Sequence, residues 1–356
     1  MDKSTHYSFG RDEFNLLEKL SNASSVSGDE MEVREIVIEE IKNHVDQYSI
    51  DSLGNLLAIR RAASTPFLRI MVAAHMDEVG FMILDKGEEG LYRFEKVGGI
   101  QVTHVIGKPV LVGKDKIPGV IGTKPVHLIK DEEMEQPISL EQLRIDTGLE
   151  KNGKVKPGDY VMFATKFQKL ESSIMGKAFD DRLGIVSLIS LLKMPPENIE
   201  ILAAFTVQEE LGLRGAGVAA YSLQPDAAVV MDATPAYDLP VWDKSENYLY
   251  NTRLDHGPAI YIADRAMMSD PRLINHFVMV AEKNKITHQI RQPGEGGTDA
   301  GAIHLQREGI PSISISVPTR YIHSPVSLAR ISDWENTYRL VSLGLKSLSA
   351  SVLERG

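Results

Sequence analysis

Ile199-Glu200-Ile201-Leu202-Ala203-Ala204-Phe205-Thr206-Val207-Gln208-Glu209-Glu210-Leu211-Gly212 opens as an apolar run and ends on two adjacent carboxylates and a glycine. A short, nearly continuous apolar run bounded by a turn signal reads as a buried strand of the kind found in parallel sheets. The paired carboxylates then stand where a core strand runs out. In open α/β sheets that edge is where ligands bind. Two acidic side chains held together there are costly unless a positive charge offsets them.

Other apolar runs behave in the same way. Residues 67–74 end at His75, residues 227–231 end at Asp232, and residues 312–317 lead through a short loop to His323. Asp180-Asp181 stand at a turn leading into a helical pattern carrying Ile185, Leu188, Ile189 and Leu192. Strand ends on one edge of a sheet face a common crevice, so these side chains can converge although they lie far apart in the chain. Toward the N-terminus, residues 11–21 and a segment carrying Val33, Val37, Ile41 and Val45 have helical spacing. Ser27-Gly28-Asp29-Glu30 fits a capping box ahead of the second helix.

Between about 80 and 167 the texture changes. Twelve of the 28 glycines fall between Gly80 and Gly158, and short β-rich runs alternate with turns. Helical pattern is nearly absent, so this segment reads as a small β-barrel or sandwich inserted into an α/β unit. The α/β pattern resumes near Gly176 and ends in a helix at about 332–349.

The 356 residues suffice for two domains. A net charge of −10 argues against a nucleic-acid surface and against adhesion to anionic membranes. No cysteine is present, which excludes disulfides, thiolate metal sites and cysteine nucleophiles. Any metal must be held by His, Asp and Glu. No apolar stretch is long enough to span a bilayer. The polar residues 1–6 carry no signal-peptide core, so a cytoplasmic location is the expectation.

Each candidate alone has a bland reading. An Asp-Asp pair before a helix is usually a cap, and adjacent glutamates are usually a solvated pair. Their joint occurrence at strand ends points instead to a two-metal hydrolytic centre. Such a centre needs a carboxylate shared by two divalent ions, with one His and one further carboxylate on each. His75, Asp180, Glu210, Asp232 and His323 supply that inventory. Two divalent ions outweigh three carboxylates and make a shared water acidic. A separate carboxylate must then carry the proton to the leaving group, and Glu209 is the spare one. Asp77, two residues from His75, is suited to orient that imidazole.

His75-Met76-Asp77-Glu78-Val79-Gly80, Ala178-Phe179-Asp180-Asp181-Arg182, Gln208-Glu209-Glu210-Leu211-Gly212, Asp232, Gly296-Gly297-Thr298-Asp299-Ala300 and Arg320-Tyr321-Ile322-His323-Ser324-Pro325 occur in this order across most of the chain. Together they make the sequence resemble the tetrahedral aminopeptidases, metallopeptidases of the glutamyl or deblocking type, and most of all the FrvX-type members. The resemblance implies a three-layer α/β/α zinc-peptidase-like catalytic domain, residues 1–77 and 168–356, with an inserted β-barrel dimerisation domain at 78–167. It implies that His75 and Asp232 hold one metal and Glu210 and His323 the other, with Asp180 bridging. It also implies a cis peptide between Asp180 and Asp181, and Glu209 as general base and acid. Which glutamate takes which role rests on the resemblance, since spacing says only that neighbours in a strand point to opposite faces.

Zinc is the first expectation for both ions, with cobalt or manganese as alternatives that N/O ligands do not sharply exclude. The implied assembly is a dimer built into a twelve-subunit tetrahedron. The implied reaction is release of N-terminal residues from peptides, with Asp299 as a candidate contact for the substrate α-amine. A deacylase of small N-acyl compounds would use the same ligands with a different pocket. A glycosidase using Glu209 and Glu210 is a poorer fit, because adjacent residues do not flank a sugar from opposite sides. A non-enzymatic binding protein leaves an intact ligand set without purpose. Loops at about 234–265 and 290–310 would build the specificity pocket, with Arg265 or Arg291 as candidate readers of acidic residues. The sequence does not name the preferred N-terminal residue.

Overall fold

The structure, a computed structural model, describes residues 8–354 apart from Pro66 and the segments 88–89, 130–135, 149–153 and 240–251. The polar residues 1–6, and residues 240–251 of the expected pocket loop, lie outside the described residues. Helices α1 (Arg11–Asn22) and α2 (Met31–Ile41) precede strands β1 (Gln47–Ile50), β2 (Leu56–Arg60) and β3 (Leu68–His75). Six strands follow: β4 (Gly80–Lys86), β5 (Leu91–Val97), β6 (Pro109–Val112), β7 (Ile117–Gly122), β8 (Arg144–Asp146) and β9 (Tyr160–Phe163). Then come β10 (Gln168–Lys169), β11 (Ser173–Gly176), α3 (Phe179–Lys193), β12 (Ile199–Thr206), α4 (Arg214–Leu223) and β13 (Ala227–Pro235). The last third holds β14 (Ala259–Tyr261), α5 (Pro271–Lys283), β15 (Gln289–Arg291), α6 (Ala300–Ile303), β16 (Ser312–Arg320), β17 (Ser327–Arg330), α7 (Ile331–Ser347) and α8 (Ala350–Leu353).

The apolar runs become the centre of a sheet that has 11 strands among the described residues, ordered β1-β2-β12-β3-β13-β16-β17-β11-β10, with β14 on β16 and β15 on β14. Strands β12, β3, β13 and β16 are parallel neighbours. Thr206 at the end of β12 lies opposite His75 at the end of β3. The candidate residues therefore reach one edge of the sheet.

Alternation along β3 sorts its side chains onto two faces. Ile70, Val72 and Ala74 pack with Leu17, Val37, Leu188, Phe277 and Leu345 from five helices. Met71 and Ala73 pack on the other face with Ala219 of α4 and Ile303 of α6. The result is an α/β/α sandwich. Helix α3 is buried from Asp181 to Leu192, as its apolar character on all sides requires. It approaches β13 so closely that a Cβ on Gly184 would lie 2.5 Å from the Met231 oxygen.

The inserted segment is a closed barrel, ordered β4-β5-β8-β7-β6-β9. Of the two expected forms, barrel or sandwich, the barrel leaves no open strand edge. Phe81 fills its core and packs edge-on against Phe94 and Phe163, with ring centroids 5.1 and 5.4 Å away.

Two local expectations change. Helix α2 begins at Met31, so Ser27 stands too far back to cap it, and no side chain caps its first turn. The Ser27 hydroxyl donates instead to Asp77. Asp232 lies inside β13 and not after it, because Asp232, Ala233 and Thr234 continue the pairing with β16.

Candidate metal centre

The loop after β12, the end of β3, the C-terminal half of β13, the start of α3 and the turn after β16 converge at the sheet edge. Tyr321 and His323 both have positive φ, 61° and 54°, in the turn that presents the His323 ring. The Asp180–Asp181 peptide is cis.

His75 Nε2 stands 2.9 Å from Asp180 Oδ1 and 3.8 Å from Asp232 Oδ1. On the other side of Asp180, His323 Nε2 is 3.3 Å from Oδ2 and 3.2 Å from Glu210 Oε1. Two triads result, His75–Asp180–Asp232 and Asp180–Glu210–His323, and within each the candidate ligand atoms lie within 4.8 Å of one another. Asp180 belongs to both. This donor set of imidazole nitrogens and carboxylate oxygens, with one shared carboxylate, fits divalent cations.

The electrostatics point the same way. Burial, with Asp180 close by, holds Asp232 well above its ordinary range. Burial also holds Glu209 well above its range, opposed by His75 and reinforced by Asp232 and Glu210. Glu210 is raised by burial although His323 opposes it. Burial would push His323 down, but Glu210 and Asp180 lift it to about 11. His75 is likewise raised well above its usual value: burial opposes, while hydrogen bonds to Asp180 and Asp77 prevail. These shifts are those of buried carboxylates crowded together, a setting that favours cations.

Asp77 is fully buried. Its main-chain oxygen accepts from His75 Nδ1 at 3.1 Å, which turns Nε2 toward Asp180. Its carboxylate Oδ1 is 3.5 Å from the same nitrogen. That carboxylate also accepts the main-chain N–H of Glu209 at 3.0 Å and of Glu210 at 3.1 Å. The Glu209 side chain makes no hydrogen bond among the described residues and lines the cleft beside the triads. Asp299 is different. It is 1% exposed, accepts a hydrogen bond from Thr206, and is not among the side chains that line the cleft.

The cleft has a volume of about 490 Å³, and its walls away from the triads include Leu213, Tyr261, Arg265, Ala266 and Arg291. Arg291 is buried, lies 4.2 Å over the Tyr261 ring and donates to Thr234 Oγ1 at 3.1 Å. Arg265 is exposed, and its guanidinium has no partner among the described residues.

Sequence reasoning missed three supports. Ser27 fits a local capping pattern but serves Asp77. Lys177 and Arg182 are fully buried and share Glu78: Lys177 Nζ is 2.7 Å and Arg182 Nη2 3.5 Å from Glu78 Oε1. The available signal was two basic residues flanking Asp180-Asp181 in an apolar context.

The pattern of the M42 glutamyl aminopeptidase family matches residues 54–340. The chain belongs to this family. A relative from Acetivibrio thermocellus, whose name gives it provisionally as an aminopeptidase, is 37% identical over 335 residues, covering 93% of this chain and 97% of the relative. A TET aminopeptidase from a marine sediment archaeon of the Thaumarchaeota superposes with a TM-score of 0.91 at 32% identity, covering 96% of this chain and 98% of its own. The TET1 peptidase of Pyrococcus horikoshii, described as assembling into a tetrahedron or a large octahedral shell, superposes with a TM-score of 0.82 at 32% identity, covering 94% of this chain and 100% of its own. Membership makes this M42 protein a peptidase and a metallopeptidase. Among the described residues no helix is long and apolar enough to cross a membrane.

Proposed function

We propose that this M42 peptidase removes N-terminal residues from peptides at a two-metal centre, with Glu209 as the proton carrier. The observation that carries the reading is the pair of triads sharing Asp180 beside a cleft lined by Glu209. His75 and Asp232 would hold one ion, Glu210 and His323 the other, and Asp180 both. Zinc is the first choice, with cobalt or manganese as alternatives. When bound, two such ions supply Lewis acidity toward a carbonyl and an acidified water.

The rest falls to the chain itself. Glu209 accepts a proton from the attacking water and delivers it to the departing amine. Its environment, buried and crowded by carboxylates, raises its affinity for that proton. Asp77 keeps the His75 ring turned toward the centre and the Glu209–Glu210 turn seated beneath it. The carboxylates at the cleft floor attract the substrate's α-amine. Arg265, a cation on the wall without a partner among the described residues, favours an acidic N-terminal side chain, in keeping with the glutamyl activity in the family's name.

We read residues 78–167 as an inserted dimerisation domain and the dimers as building blocks of a tetrahedral dodecamer. The closed barrel and the shells described for the Pyrococcus relative support that reading. The experiment is elemental analysis of the purified protein together with a panel of aminoacyl-anilides and N-acetylated amino acids. Two ions per subunit and cleavage of the anilides are expected. Cleavage of the N-acetyl compounds alone would make the protein a deacylase.

A further inference from the structure

Ser27 is buried, and its hydroxyl donates to Asp77 Oδ2 at 2.5 Å. Among the described residues no lysine or arginine side chain pairs with the Asp77 carboxylate. A buried carboxylate of that kind keeps its position largely through the donors around it. Here they are the Ser27 hydroxyl, the N–H groups of Glu209 and Glu210, and the neighbouring His75 ring. One side chain therefore touches a ligand of the first triad and the main chain of a ligand of the second.

Ser27 is the one hydroxyl in this set, and a short O–H···O contact to a carboxylate is among the stronger hydrogen bonds. Its own placement is tightly held. Ser27 N donates to the Glu78 oxygen at 3.2 Å, and Val26 pairs with Glu78 as an isolated bridge. Gly28 has φ +98°, and a Cβ there would lie 2.5 Å from the Tyr160 hydroxyl of β9. The loop is thus seated between the barrel and the end of β3.

We propose that Ser27 is a positioning residue: its hydroxyl fixes Asp77, and through Asp77 it sets His75 in register with the Glu209–Glu210 turn. The inference rests on the two-ion reading of the centre. Ser25 supplies the control. It is also a buried serine in the same loop, but its hydroxyl goes to the Met76 main-chain oxygen at 2.7 Å and does not touch Asp77.

The test compares Ser27→Ala, Ser27→Thr and Ser25→Ala with wild type. Zinc affinity is measured by competition with a chromophoric chelator, and kcat and KM are measured at saturating zinc. Ser27→Ala is expected to weaken zinc binding and lower kcat by about 10- to 100-fold with little change in KM, as losses of a ligand's supporting partner do. Ser27→Thr retains the hydroxyl and stays near wild type, as does Ser25→Ala. Where Ser27→Ala does not fold, Ser27→Cys against Ser27→Thr makes the same comparison, because a thiol is a weak donor. Wild-type affinity and kcat in the donor-deficient variant, or an equal loss in Ser25→Ala, overturns the proposal. Zinc stoichiometry of the wild type separately tests the two-ion reading: one ion per subunit removes that reading, whatever Ser27 does.

Discussion

Lys177 donates to both carboxylate oxygens of Glu78, at 2.7 and 2.8 Å, where neither side chain reaches solvent. Glu78 follows Asp77 directly, and Lys177 lies three residues before Asp180. The pair therefore ties the loop after β3 to the start of α3, beneath the triads. Removing one partner of a buried pair costs about 3–5 kcal/mol when the other charge is left uncompensated, and here Arg182, 3.5 Å from Glu78, compensates part of it. Lys177→Met is therefore expected to lower unfolding stability by about 3 kcal/mol, the lower end of that range, read from denaturant midpoints. A change within about 0.5 kcal/mol, the range of ordinary surface substitutions, would remove the pair from the account.

Metal uptake should release protons. In the metal-free protein His323 keeps its proton up to about 11, because Glu210 and Asp180 outweigh the effect of burial. At pH 8 the ring is therefore protonated before binding, and a ligand nitrogen must be deprotonated. The metal-free state holds more protons than the loaded state, so affinity rises with pH and falls in acid. Calorimetric titration of zinc at pH 8 in two buffers of different ionisation enthalpy should give different apparent heats, with the sign of proton release. Equal heats in both buffers would contradict the assignment of His323 as a ligand.

Arg265 should set the preference for the N-terminal residue. It is an exposed guanidinium on the cleft wall without a partner among the described residues, whereas Arg291 is occupied by Tyr261 and Thr234. A hydrogen bond to a charged group contributes about 1.5–3 kcal/mol, which corresponds to roughly 10- to 150-fold in kcat/KM. Arg265→Ala should lose a factor of that size on glutamyl-anilide while leucyl-anilide changes little. An equal loss on both substrates would make Arg265 a general structural contact.

The continuous apolar runs that became β12, β3, β13 and β16 were readable because strands buried on both faces need no alternation. His75, Glu210 and Asp232 stand out in the sequence because each interrupts or closely follows such a run, whereas Asp180 precedes a helix and His323 follows its strand through a loop. What escaped depends on partners distant in the chain. Ser27 matched a local capping pattern, but a helix start at Met31 and the Asp77 carboxylate redirected its hydroxyl. Asp232 lay beyond the expected strand end because a polar side chain inside a strand gives no apolar signal, although its backbone stays paired with β16. Strand β11, Ser173–Gly176, is too short and mixed to stand out. Asp299 is a candidate contact for the substrate α-amine by its motif, yet its side chain is buried against Thr206. Motif position locates a residue in the chain but does not say which way its side chain faces.

In the proposed reaction Glu209 carries the proton while the neighbouring carboxylates and imidazoles hold the ions. Glu209→Gln keeps the size of the side chain and removes the proton acceptor. Zinc content and kcat of this variant are to be measured together on an aminoacyl-anilide. Unchanged zinc stoichiometry and a kcat lower by about 10²- to 10⁴-fold are expected. Full activity in Glu209→Gln would rule out Glu209 as the proton carrier.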